Sequence, residues 1–536
     1  MIDTQYSPFR GLGGKCINNK QMKSRLLITV ILTLGISCVY AKSYIAAVGG
    51  TSAGAGTLAS PYDIATAITK PASGDTVYIR GGMYMLSTSL SITKSGNSTT
   101  SINIWAYPNE IPVLDFRNQP YNSNNAGVKL TGSYLFVKGI TIQGAGDNGM
   151  YVTGSNNRIE NCIFRWNCDS GLQLKTGSSN LIINCDSYEN FDYKTGGTSA
   201  PDYGGNADGF ADKQYTNAGT NSYIGCRSWL NSDDGWDHYE KIGNTSYDNC
   251  WCYTNGPASY DMTDHIRFKT DSATWFYQFK NTSGRYIITN YGNGNGFKLG
   301  GNYTAHNATL HHCVSVKNKV KGFDQNNNNG TMTVYNCTGY LNDTNYGFSN
   351  SSFGTLVIKN CASLSSTSAN KFACKVVTQE YNSWNTGFSC TAADFASLDY
   401  TQLLTDRQSD GSLPEISLLH LVSTSAMIDK GINLGYSYFG TAPDLGAFEY
   451  NTVSSVNLSN AVAEIITYYS ILNKQIIVRG TTEKVEIYNI SGKKMYENAI
   501  VSDNHTIATP DWANGIYFLK ALTKNGNLSV FKILIP

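Results

Sequence analysis

Apolar and polar positions alternate in short runs along most of the chain, clearest at Asn180 to Asn184, Thr331 to Asn336 and Thr355 to Asn360. Runs of this length and period are strands, not helices. Many of them end on asparagine followed by cysteine: Asn161-Cys162, Asn184-Cys185, Asn249-Cys250, Asn336-Cys337 and Asn360-Cys361. With Cys226 and Cys313 included, the seven cysteines follow one another by 23, 41, 24, 63, 24 and 24 residues. A second marker is glycine before a large apolar residue, at Gly171-Leu172, Gly209-Phe210, Gly235-Trp236, Gly296-Phe297, Gly322-Phe323 and Gly347-Phe348. A period near 24 built from short strands predicts a parallel β-solenoid. Inward cysteines and apolar side chains then stack in columns, and asparagines hydrogen-bond along theirs. The cysteines read as small buried apolar residues, with Cys250/Cys252 and Cys374/Cys390 left open as exceptions.

The irregular spacings carry as much information as the regular ones. From cysteine to glycine the offset is 9 at Cys162, Cys226 and Cys313 and 10 at Cys337, but 24 at Cys185 and 46 at Cys250. Two coils therefore hold insertions of 15 and 37 residues, roughly Phe191 to Gly205 and Pro257 to Gly292. Long loops on a regular scaffold commonly carry function. Both leave the same part of the coil, so they are expected to form two walls of a groove. With the insertions removed, Asp208-Gly209-Phe210, Asp234-Gly235-Trp236-Asp237 and Asn295-Gly296-Phe297-Lys298 fall into register. Adjacent coils rise by about 4.8 Å. Asp208 is thus expected over Asp234, and Asp237 under Lys298, with Asp233 beside them.

Composition narrows the setting. The chain has 536 residues, 40 basic against 39 acidic, and only 15% charged side chains. A net charge of +1 gives no electrostatic reason to expect nucleic acid. High Gly, Tyr, Asn, Ser and Thr suit an extracellular β protein. Met22-Lys23-Ser24-Arg25, the apolar stretch Leu26 to Ile36 and Val39-Tyr40-Ala41 read as a signal peptide cleaved after Ala41, preceded by an extension over residues 1–21.

Crowded carboxylates repel, and at neutral pH they need a cation or a shared proton. Oxygen ligands without His or Cys favour calcium over zinc or copper. Asp208, Asp233, Asp234 and Asp237 are therefore candidate calcium ligands, the alternative being solvated turn residues. Lys298 is a candidate general base, or simply an ion-pair partner of Asp237.

These three motifs, Asn206-Ala207-Asp208-Gly209-Phe210, Asp233-Asp234-Gly235-Trp236-Asp237 and Gly294-Asn295-Gly296-Phe297-Lys298-Leu299-Gly300-Gly301, resemble as a set the family 9 polysaccharide lyases. The resemblance covers roughly residues 44 to 450 and implies an all-β fold, a right-handed parallel β-helix. It further implies calcium on Asp208, Asp233, Asp234 and Asp237, and Lys298 as the base of a β-elimination. The implied substrate is an acidic plant cell-wall polysaccharide, either homogalacturonan or rhamnogalacturonan I. The second insertion departs from the family pattern, and its His265, Arg267 and Lys269 are candidates for substrate contacts. Two rivals remain: a polygalacturonase-like hydrolase, which would need an acid and a base carboxyl, and a non-catalytic sugar-binding solenoid.

Residues 42–450 are expected to form the β-helix, with a capped first coil and a close at Asp444 to Tyr450. A linker over 451–460 leads to alternating strands at 461–536, among them Val485 to Lys493 and Asn514 to Lys520. This pattern resembles the C-terminal sorting domain of type IX secretion in Bacteroidetes-type bacteria, a small Ig-like β-sandwich. It implies export by that machinery to the cell surface or medium; a monomer is expected.

Overall fold

A computed structural model describes residues 41–450 and 466–535, apart from 196–201, 217–218, 269–272, 386, 388–389, 471–474, 490–492, 510–511, 514 and 523–527. The signal peptide and the linker lie outside the described residues. The chain divides into two compact units, one ending at Glu449 and the other spanning Tyr450–Pro536.

The first unit is the expected right-handed parallel β-helix. Three parallel sheets of 12, 10 and 10 strands run its length, each coil giving one short strand to each sheet. Ser43–Ala46 begins the first sheet, and a one-turn helix at Ile64–Ala67, capped by Asp63, packs beside it. The interior is filled by columns. Phe210, Trp236, Phe297 and Phe323 stack with centroids 5.0, 4.7 and 5.3 Å apart. Each such pair contributes about 0.5–1.5 kcal/mol beyond its area. Tyr346, not Phe348, continues this column. The ten-residue offset at Cys337 had already displaced the glycine marker there.

The cysteine column stands as expected: Cys162, Cys185, Cys226, Cys250, Cys313, Cys337 and Cys361 are fully buried free thiols. Cys250, Cys252, Cys374 and Cys390 are free as well, so neither open pair is a disulfide. The asparagine ladder is real but uses other residues. Asn167, Asn190, Asn231, Asn255, Asn318 and Asn342 bond amide to carbonyl along the column at 2.8–3.0 Å. The asparagines preceding cysteine instead take positive φ, 52° at Asn161 and 51° at Asn184, and turn the chain from the first sheet to the second. Asparagine tolerates that left-handed conformation.

Both insertions leave the turn between the second and third sheets, and they do not form two separate walls. Phe191 stacks on Tyr260 at 4.2 Å, and Tyr193 packs on Phe276 at 5.2 Å. With Cys168, Tyr203, Met262 and Ile288 they build one lobe with its own buried core. The insertions carry enough apolar surface to bury it against each other.

After the last coil the chain runs back along the helix. Arg407 pairs with Asp186 at 2.7 Å, and Arg227 donates to the carbonyls of Leu403 and Thr405. The second unit is a small antiparallel β unit built from Ile466–Ser470, Gln475–Asn489, Lys494–Ala508, Gly515–Leu522 and Leu528–Ile535. Its core includes Ile476, Val485, Ile487, Leu519 and Ile533.

Candidate active site

The third sheet positions the chemistry. Ala211, Asp237 and Lys298 occupy matching positions on three consecutive coils, so the register deduced from the markers is the one observed. Strand alternation turns Phe210, Trp236 and Phe297 inward and points Asp237 and Lys298 to the outer face. Asp208 and Asp234 stand two residues ahead of those aromatics, where the turn enters the strand, and Asp234 N–H donates to Asp208 Oδ1 at 3.2 Å.

Carboxylate oxygens of Asp208, Asp234 and Asp237 lie within 4.8 Å of one another. Asp233 stands slightly apart on the same turn, accepting from Asn293 N–H at 2.6 Å. Lys298 Nζ is 2.9 Å from Asp234 Oδ2 and 3.1 Å from Asp237 Oδ1. All four aspartates are buried, while Lys298 keeps 9% exposure. A second lysine, absent from the sequence reading, also enters. Lys213 Nζ is 3.1 Å from Asp208 Oδ2 and 2.7 Å from Asp237 Oδ2. It stands three residues beyond Phe210, and the same coil register that placed Lys298 could have found it.

The electrostatics are those of a site short of positive charge. Burial, then the neighbouring carboxylates, hold the carboxyls of Asp233 and Asp208 well above their usual range, with Asp234 raised too. Asp237 is the exception: burial raises it, but Lys213 and Lys298 together bring it below the ordinary value. Lys298 is pulled down by burial and, by the four aspartates together, more strongly up, so it is charged when only protein surrounds it. Asp234 Oδ2 is buried and receives no hydrogen bond of regular geometry, its nearest partner being the Lys298 ammonium. Clustered buried oxygens without a nitrogen or sulfur donor fit a hard cation such as calcium.

The backbone under Lys298 is held from below. His238 Nδ1 donates to the Lys298 carbonyl at 2.9 Å, its Nε2 accepts from Tyr247 Oη at 2.5 Å, and its ring stacks on His306 at 4.6 Å. Burial pushes His238 down to about 3, keeping it neutral.

Of the three residues expected to touch substrate, the two described, Arg267 and His265, do not join this cluster. Arg267 is fully buried and donates to the carbonyls of Arg117, Gln119 and Gly144 and to Tyr193 Oη, at 2.7–3.2 Å. It cross-links the insertion lobe to the helix and cannot be a groove contact. An aromatic lobe with a bare coil edge beneath it leaves carbonyls to satisfy, and a guanidinium does so with several donors at once. His265 lines a cavity of about 360 Å³ with Trp166, Glu189, Leu230, Pro257 and Tyr260, and burial then Arg267 lower it to about 3. Lys269 lies outside the described residues.

Residues 43–370 match the family described as Pel9A-like, right handed beta helix region. The chain belongs to that family. Pectate lyase L of Dickeya dadantii is 36% identical over 432 residues, covering 78% of this chain and 93% of that protein. The crystal structure of pectate lyase Pel9A superposes with a TM-score of 0.64 at 34% identity, over 76% of this chain and 96% of that one. A rhamnogalacturonan lyase shares the fold at a TM-score of 0.58 and 24% identity, over 71% and 97% of the two chains. This Pel9A-like chain is a polysaccharide lyase. Its residues 468–536 match the secretion system C-terminal sorting domain.

Proposed function

We propose that the groove cleaves homogalacturonan by β-elimination, with Lys298 as the base and calcium held by Asp208, Asp233, Asp234 and Asp237. The observation that carries this reading is the meeting of Lys298 Nζ with Asp234 and Asp237, 2.9 and 3.1 Å away, in a buried acidic cluster. The similarity to pectate lyases over nearly their whole length favours homogalacturonan over rhamnogalacturonan I.

Bound there, calcium supplies the charge that offsets the carboxylates, neutralises the substrate's C6 carboxylate and acidifies its C5 proton. Lys298 Nζ takes that proton in its neutral form. The C5–H electron pair becomes the C4–C5 double bond, the C4–O bond breaks with its pair on the leaving sugar's oxygen, and solvent protonates that oxygen. His238 and the stacked His306 hold the lysine's strand still, so Nζ approaches from a fixed direction. Water takes no part as nucleophile.

Polygalacturonate and rhamnogalacturonan I, each supplied with calcium, test the reading. Ultraviolet absorbance from a 4,5-unsaturated uronide is expected to rise with polygalacturonate, to vanish with chelator and to return with calcium. Saturated reducing ends, or a rate indifferent to chelator, would defeat it.

Lys213 gives a second test. It occupies Asp208 and Asp237, two of the ligands proposed for calcium. Lys213→Met is expected to lower the melting temperature of the calcium-free protein and to enlarge the rise on adding calcium. An equal or smaller rise counts against calcium on those two aspartates. The sorting-domain match further supports export through type IX secretion, so the enzyme meets its polymer outside the cell.

A further inference from the structure

The turn from the first sheet to the second repeats along the helix with one residue at positive φ before each column cysteine. It is asparagine in five coils, Asn161, Asn184, Asn249, Asn336 and Asn360, and Gly225 in a sixth. In the coil of Cys313 it is His312, with φ 53°. The backbone is the same as in its neighbours, so the turn itself does not require an imidazole. Its predecessor His311 ends the strand His306–His311 and points outward, opposite to the inward His306, Ala308 and Leu310, yet it is 7% exposed. Tyr436, on the returning segment, covers its ring at 3.4 Å between centroids.

Asp248 is the register partner of His311 on the preceding coil. His311 Nδ1 lies 3.4 Å from Asp248 Oδ1, and the two imidazole rings lie 3.6 Å apart. One ligand atom from each of Asp248, His311 and His312 falls within 4.8 Å of the other two. His311 Nε2 is buried and has no hydrogen-bond partner among the described residues. A buried imidazole nitrogen left without a partner is costly.

We propose that Asp248, His311 and His312 bind one divalent transition-metal ion of the zinc or nickel class, at a corner of the coil separate from the catalytic groove. Two imidazole nitrogens and one carboxylate oxygen select such ions, whereas calcium prefers oxygen alone. The site is assembled from two adjacent coils, Asp248 on one and both histidines on the next, so an ion there links them where Tyr436 closes over the surface.

The full chain, stripped by chelator and returned to excess calcium, would be titrated with zinc by calorimetry and by thermal melting. The parent is expected to bind one equivalent at micromolar zinc and to melt at higher temperature. His312→Asn restores the residue that serves this turn in five other coils, so it is expected to fold, to cleave pectin like the parent and to lose both the equivalent and the shift. His311→Gln is expected to lose them too. Zinc binding that is the same in parent and His312→Asn, or absent from the parent at micromolar zinc, would overturn the site. Neither result touches the lyase reading, which is scored on uronide product with calcium alone.

Discussion

Lys298→Ala is expected to lower kcat on polygalacturonate roughly 10²–10⁴-fold, the usual worth of a positioned general base. The measurement belongs at saturating calcium. Without it, removing the ammonium also strips Asp234 and Asp237 of a partner, and lost stability would mix with lost chemistry. Lys298→Arg separates a base from an ion-pair partner. Arginine keeps the positive charge near the aspartates but cannot release its proton at accessible pH. If Lys298 serves as the base, both variants lose the reaction while the calcium-induced rise in melting temperature survives, at least in Lys298→Arg. An arginine variant that keeps most of the parent's kcat would sink the assignment and leave Lys298 as a structural counter-charge.

Arg267→Ala is expected to destabilise the protein by at least about 3 kcal/mol, since each hydrogen bond to a charged group contributes about 1.5–3 kcal/mol and several are lost at once. Its guanidinium satisfies the carbonyls of Arg117, Gln119 and Gly144, which belong to the helix, and Tyr193, which belongs to the insertion lobe. Truncation leaves these acceptors buried and unmatched. Arg267→Lys should recover little, because an ammonium cannot reach so many acceptors in the plane of a fork. Urea unfolding reads the loss directly, and KM for polygalacturonate, taken well below the melting transition, is expected to stay near the parent value. A substrate contact would give the reverse, a raised KM with stability unchanged.

The contrast between Lys298 and Arg267 marks where the sequence stops being legible. Both are basic residues in or after the same 37-residue insertion. Lys298 follows a glycine-aromatic marker whose register continues through Trp236 and Phe210, so its neighbours could be deduced by counting. Arg267 belongs to no repeat. Its direction depends on how two insertions from different coils bury their aromatics against each other, as Phe191 does on Tyr260. The ladder asparagines fall between these cases. Their period was visible, but two asparagine columns run along this helix, and the backbone conformation before each cysteine decides which column turns the chain.

Sequence alone determined the solenoid, its coil length, the sites of both insertions and the stacking of Asp237 under Lys298. Parallel strands repeat at one spacing and alternate faces with period two, so equal offsets along the chain become contacts in space. Only the tertiary structure decided that the insertions fuse into one lobe, that Arg267 turns inward, and that Tyr436 closes over His311. Those contacts join segments with no common period, the last through an irregular segment that returns along the helix after the last coil. Their geometry is set by which apolar surfaces bury each other and which buried polar atoms must then be matched.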